Sequence, residues 1–188
     1  MARRQQKGKS QAGRLRIVAG NWRSRLLDIA DVEGLRPTSE RVRETLFNWL
    51  APRIEGARCL DAYAGTGALG LEALSRGARS VVFVERSAVA ARQLRRNIEV
   101  LEAHGATVQQ QDAPAFLRDA ATGPFDLVFL DPPFAADLVE ETCRLLDQRR
   151  LLAADALVYV ELPRKAVEPE FPAGWQVQKD KTAGNVRY

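Results

Sequence analysis

From residue 57 onward the chain alternates two kinds of hydrophobic pattern. Short runs ("ARCLDAY", "SVVFVE", "TVQQQD", "FDLVFLD" and "ALVYVEL") predict strands. Between them, apolar residues recur every three or four positions. These segments are "GALGLEALSRG" ending at Gly77, "SAVAARQLRRNIEVLEAHG" ending at Gly105, "PAFLRDAA" and "ADLVEETCRLLDQRRLL", and they predict helices. Regular alternation predicts an α/β fold with a mostly parallel, doubly wound sheet. Continuous apolar runs suit strands covered on both faces. The closing "WQVQKDKTAGNVRY" predicts an antiparallel hairpin. Neither an internal repeat nor a second domain is expected.

Upstream, "RLRIVAGNWRSRLLDI" holds two β-like runs around Gly20-Asn21, the signature of a hairpin. In "LRPTSERVRETLFNWL", Thr38 or Ser39 can cap a helix, Glu40 suits its first turn, and Val42, Leu46, Trp49 and Leu50 share one face. The organisation read from this is a disordered basic tail (1–13), a small basic β-hairpin extension (14–35) and one main domain (36–188).

Charge sharpens that division. Residues 1–27 hold eight basic side chains and no acid, so the other 20 Lys and Arg face all 24 Asp and Glu. A basic arm on a mildly acidic body suggests contact with a polyanion, and a solvated terminus reads the same way. Cys59 and Cys143 lie in apolar patterns with no CxxC spacing. They make neither a disulfide framework nor a metal site, and they suit a reducing cytoplasm. No apolar stretch is long enough for a bilayer, and no secretory leader or membrane association is expected. His104, the one histidine, is expected at a helix end, where the dipole favours it.

The candidate chemistry lies where the strands stop. Asp61, Glu85, Asp112 and Asp131 each end one of four successive strands. In open α/β sheets ligands bind beyond the carboxyl ends of the strands, near the point where strand order reverses. A single such acid can equally be a helix N-cap. Four in succession point to a ligand. Gly65, Gly67 and Gly70 in "DAYAGTGALG" satisfy GxGxxG, a pattern shared with dinucleotide folds, and Glu85 sits where such a fold keeps its ribose acid. Asp61 argues otherwise, because a pyrophosphate wants N–H groups and no nearby negative charge. S-adenosylmethionine carries a sulfonium, an amino group and ribose hydroxyls. Asp61 near its methionine end, Glu85 on its ribose and Asp112 near its adenine match that chemistry, with glycines allowing close backbone approach.

The fourth strand runs into "DPPF", Asp131 to Phe134. The prolines stop the strand and stiffen the loop after it. An exocyclic amine on a base is a poor nucleophile, since its lone pair is delocalised into the ring. Asp131 and the Pro132 carbonyl could accept its two N–H bonds, aim the lone pair and stabilise the charge developing on nitrogen. Phe134 offers a flat face to an extruded base. No metal is needed. Alternatively, DPPF is a strand-ending turn with a core phenylalanine.

These segments resemble a bacterial family, the 16S rRNA guanine N2-methyltransferases that modify guanine 966 of the small-subunit rRNA. The resemblance runs from about Arg14 to Tyr188 and is carried by "RIVAGNWRSRLL", "LRPTSERVRETLFNWL", "LDAYAGTGALGLEALSRGA", "VFVERS" and "LDPPF". It implies a Rossmann-like class I methyltransferase fold, S-adenosylmethionine as donor with S-adenosylhomocysteine as product, and 16S rRNA in the small ribosomal subunit as partner, with the enzyme acting as a monomer. Carried over residue by residue, Arg36, Thr38, Asp61, Tyr63, Gly65, Gly67, Glu85, Arg86, Asp112 and Asp131 would hold the cofactor. Asp131, Pro132 and Phe134 would hold the target amine. Arg41 would lie beside the flipped base, and Arg14, Arg16, Arg23 and Arg25 with Trp22 would track RNA. One departure is "DAY" where the family commonly has Asp-Leu-Phe, which adds a hydroxyl at Tyr63. Three other readings stay open: methylation of another amine (DNA adenine N6 or cytosine N4, or a protein glutamine), a non-catalytic RNA-binding assembly module, and a dinucleotide oxidoreductase.

Overall fold

The computed structural model describes residues 13–133 and 136–188. Its centre is a five-stranded parallel sheet in the order β5-β4-β3-β6-β7. The strands are β3 (Arg58–Asp61), β4 (Ser80–Val84), β5 (Ala106–Gln109), β6 (Phe125–Leu130) and β7 (Leu152–Val160). Helices α1 (Glu40–Leu50), α2 (Ala68–Ser75) and α3 (Ala88–Val100) cover one face, and α4 (Ala113–Asp119) and α5 (Ala136–Gln148) the other. Alternate strand residues serve the two cores: Cys59, Val81, Phe83, Leu127 and Phe129 pack on the α1–α3 side, and Leu60, Val84, Val128 and Leu130 on the α4–α5 side. Both faces are buried, so the strands read as unbroken apolar runs. From β3 the chain steps outward through β4 and β5, then returns to place β6 on the other side of β3. The switch point therefore lies between the ends of β3 and β6.

The N-terminal hairpin pairs β1 (Arg14–Arg16) with β2 (Leu26–Asp28) in antiparallel register, Leu15 opposite Leu27. Its turn is not the tight one expected at Gly20-Asn21. Residues 18–22 are drawn away to α2 instead. Val18 and Ala19 donate their N–H groups to the Glu72 carboxylate, both at 2.9 Å. Asn21 N–H donates to the Ser75 carbonyl, Trp22 N–H to the Ser75 hydroxyl, and that hydroxyl to the Ala19 carbonyl. Gly20 makes this possible: its φ is +81°, and a Cβ there would lie 1.8 Å from the Ser75 carbonyl oxygen. Leu15, Ile17, Leu27 and Ile29 join the same core as α1–α3.

Ser39 is the cap of α1, its hydroxyl accepting from Val42 N–H at 3.3 Å. Val42, Leu46 and Leu50 are buried as the pattern predicts, with Trp49 only half-buried. Phe47 and Arg43 are also fully buried, off that stripe. Helix α3 stops at Val100, short of Gly105, because Glu102 turns to φ +51° and Ala103 N–H folds back to the Ile98 carbonyl. His104 thus lies beyond the helix, not in the last turn where the dipole would favour it. At the C-terminus, β8 (Leu162–Pro163), β10 (Val186–Arg187) and β9 (Thr182–Ala183) form a small antiparallel sheet with β10 in the middle. The predicted hairpin is real but short, and "WQVQKD" lies outside it. Burial pushes the Cys59 and Cys143 thiols up to about 12, which leaves both unreactive. None of the described helices is long and apolar enough to cross a membrane.

Candidate functional site

The carboxyl edge of the sheet is where side chains of like charge converge. Asp61 ends β3 and is buried at 3 % exposure. One oxygen accepts the Gly70 N–H at 3.0 Å, which ties the strand end to the first turn of α2. Burial drives its carboxyl up to about 7, the Gly70 bond opposes this, and the Glu85 charge adds to it. Glu85, just past β4, accepts Gly65 N–H at 2.8 Å on one oxygen and Ser87 N–H at 2.6 Å on the other. The two acids thus grip the glycine turn from either side.

The glycines divide their labour. Gly67 is the left-handed N-cap of α2, with φ +77°. A Cβ at Gly70 would fall 2.2 Å from the Phe83 ring, so the third glycine lets helix pack on sheet. The close approach expected there is made by the protein itself. Only Gly65 is left half-open, with Leu35 resting beside it.

Asp131 comes directly after β6, across the switch point from Asp61. Thr38 Oγ1 donates to its Oδ2 at 3.4 Å. Its carboxyl is also pushed up to about 7, by burial first, then by the charges of Glu161 and Asp61, with Thr38 opposing. Leu35 and Thr38 together carry the segment before α1 from the glycine turn to the end of β6. Pro132 is buried beside Asp131. Phe134 lies outside the described residues, as does the basic tail before Gly13.

The other expected residues have different surroundings. Asp112 is exposed, beyond the edge strand β5, and its side chain caps α4 through Ala115 N–H at 3.3 Å. The extra hydroxyl of Tyr63 hydrogen-bonds Thr142 of α5 at 2.6 Å, so it serves packing on the α4–α5 side. Arg36, Arg41 and Arg86 are exposed near the edge. Arg14, Arg16, Arg23 and Arg25 are exposed on the hairpin. Arg14 pairs with Asp28 at 3.7 Å, Arg16 with Glu40 at 3.6 Å, and Arg25 reaches the Val100 carbonyl at 3.2 Å. Trp22 is half-buried against the core, so its ring is not the free stacking platform its sequence position suggests. An open groove of about 540 Å³ lies between α5 and residues 170–173, lined by Glu140, Arg144, Asp147 and Phe171. No strand-end acid reaches it, which separates it from the chemistry of the sheet edge.

Residues 15–188 match the family described as "Conserved hypothetical protein 95". The Escherichia coli K12 protein named "Ribosomal RNA small subunit methyltransferase D" is 48 % identical over 179 residues, covering 95 % of this chain and 90 % of that one. The Haemophilus influenzae protein of the same name is 45 % identical over 181 residues, covering 94 % and 92 %. The chain belongs to this family of small-subunit rRNA methyltransferases. The solved structure "Putative methyltransferase yhhF from Escherichia coli" superposes with a TM-score of 0.87 at 45 % identity, covering 94 % of this chain and 96 % of that one. The fold is therefore the Rossmann-like α/β fold of methyltransferases.

For a member of this methyltransferase family, the sequence leaves two features of the site unmarked. Glu161 has a raised carboxyl, chiefly through burial, and it receives the Tyr159 hydroxyl at 2.8 Å. It reads in sequence as the polar end of a strand. Glu72, at 0 % exposure, binds Arg43 at 2.9 Å, Arg76 at 2.8 Å and the two hairpin N–H groups. Its one signal is an acid in the otherwise apolar "GLEALS".

Proposed function

We propose that this protein methylates the exocyclic N2 amine of a guanine in 16S rRNA, at position 966 of the small-subunit rRNA, using S-adenosylmethionine. The observation that carries the reading is the pair Asp61 and Asp131. The two acids flank the switch point, Asp61 buried and Asp131 half-buried, and form no ion pair among the described residues. Buried like charges without a partner favour a cationic guest. A sulfonium and an ammonium fit that demand, and a pyrophosphate does not. Bound S-adenosylmethionine supplies an electrophilic methyl group.

The chain's own residues do the rest. Asp61 and Glu85, fixed by Gly70 and by Gly65 with Ser87, present carboxylates to ammonium and ribose groups. Arg36, Tyr63, Arg86 and Asp112 belong to the same pocket in this reading, with Asp112 at its adenine end. Asp131 and the Pro132 carbonyl accept the two N–H bonds of the amine and hold its lone pair in line. They stabilise positive charge as it develops on nitrogen. Phe134 stacks on the flipped base, a contact of about 1–3 kcal/mol. The hairpin arginines and Arg41 meet phosphates. An rRNA substrate puts the protein in the cytoplasm.

The test is transfer of labelled methyl to small ribosomal subunits from cells lacking the enzyme, with free 16S rRNA, DNA and protein in parallel. Label in N2-methylguanosine supports the reading. Label only in DNA or protein moves the target to another amine, and none anywhere, with cofactor binding intact, argues for a non-catalytic module.

A further inference from the structure

Glu161 stands next to Asp131 for a structural reason. Val160 pairs in register with Leu130 at the end of the parallel ladder, and Glu161 N–H donates to the Leu130 carbonyl at 2.8 Å. The two acids are therefore the first residues past two neighbouring strands, on the same edge. Each has a hydroxyl of its own, Thr38 on Asp131 at 3.4 Å and Tyr159 on Glu161 at 2.8 Å. The Tyr159 ring leans on Tyr188, with centroids 6.1 Å apart. The groups facing the pair are Asp61 from β3, Thr38 from the segment before α1, and the phenols of Tyr159 and Tyr188. None is cationic, and among the described residues neither acid makes an ion pair. Both carboxyls are raised by burial, and Asp131 further by the charge of Glu161.

Building on the proposed amine methylation, we propose that Glu161 is a positioning residue whose charge, held one strand away, lets Asp131 take the proton that the amine loses. The amine lone pair forms the N–CH3 bond while the methyl–sulfur bond breaks and leaves its pair on sulfur. The nitrogen, now cationic, gives up one N–H bond. Its electron pair returns to nitrogen and the proton passes to an Asp131 oxygen. The Asp131–Glu161 pair then holds one proton and one negative charge, the state that two adjacent carboxylates prefer. Release of that proton to water resets the site.

The charges set the direction of the pH effect. In the wild type Asp131 is protonated as pH falls through about 7, and its capacity to accept falls with it. Removing the neighbouring charge moves that limb to lower pH and weakens the base.

Glu161→Gln and Glu161→Asp are compared with wild type in two ways. One is kcat against pH for methyl transfer to small subunits. The other is a 13C carboxyl titration of Asp131 with no substrate present. Glu161→Gln is expected to move both midpoints down by about one pH unit and to lower maximal kcat about tenfold, with KM for S-adenosylmethionine unchanged. Glu161→Asp, which keeps the charge, stays with wild type. Superimposable profiles and an unmoved Asp131 midpoint in Glu161→Gln overturn the inference. If Glu161→Gln does not fold, the wild-type titration decides: an Asp131 midpoint in the ordinary carboxylate range overturns it. A wild type that methylates no small-subunit RNA sinks the proposed function, and the substrate-free titration still tests the coupling of the two acids.

Discussion

Asp61 is charged only against the preference of its surroundings. Burial and the Glu85 charge raise its carboxyl to about 7, with the Gly70 N–H opposing. Its folded pKa lies above its unfolded one, so the native state binds more protons, and stability contributed by this group falls as pH rises from about 4 to about 7. Denaturant unfolding of the ligand-free protein should show this loss, on the order of 2–4 kcal/mol, and Asp61→Asn should flatten it. A cationic ligand prefers the ionised form. Binding of S-adenosylmethionine should therefore tighten between pH 6 and 8 and release protons, measurable by calorimetry in buffers of different ionisation enthalpy. At Asp131 the expectation is different in kind. Asp131→Ala should cut methyl transfer by about 10²–10³-fold, the scale of one lost preorganised partner, with circular dichroism and thermal unfolding like wild type. Both acids are legible in the sequence because each ends an apolar run. Their shared elevation is not, since it depends on which strands become neighbours.

Among the elements, α2 is the one on which the others depend. Its Glu72 gathers Arg43 of α1, Arg76 at its own C-cap and the backbone of the hairpin turn. Arg43 is held below the usual arginine range by burial, against the pull of Glu72. Removing Glu72 alone leaves that guanidinium buried and unpaired. Glu72→Ala should cost about 3–5 kcal/mol in urea unfolding, and Glu72→Leu combined with Arg43→Met should recover only part of it, because the Val18 and Ala19 N–H groups still lose their acceptor. Additive losses in that double-mutant cycle would show that the pair is not coupled. The elements themselves were readable: alternation marked out the strands and helices, and Ser39 and Gly77 marked real ends. The turn at residues 18–22 was not, because Gly20-Asn21 has hairpin chemistry locally, and the pull comes from a helix more than fifty residues on.

For the molecule as a whole, charge is arranged as a basic hairpin beside an acidic strand edge. Three of the four hairpin arginines already have partners within the chain, and Arg23 shows none among the described residues. Neutralising Arg14, Arg16, Arg23 and Arg25 should weaken rRNA binding and flatten the slope of log affinity against log salt by about 2–4, with Arg23 contributing most per residue. An unchanged slope would leave the hairpin a cover for the α1–α3 face. The doubly wound plan was evident from the alternating pattern, and the order β5-β4-β3-β6-β7 that sets Asp61 opposite Asp131 emerges only once the sheet is assembled.

The clamp on Glu72 also bears on how the chain is made. The hairpin leaves the ribosome ahead of α2, and the carboxylate that holds Val18 and Ala19 arrives 54 and 53 residues later. At roughly 5–20 residues per second that interval is about 3–11 s. Until then Leu15, Ile17, Leu27 and Ile29 lack the α2 and α3 side of their core, so the nascent chain presents apolar side chains that chaperones at the ribosome would have time to meet.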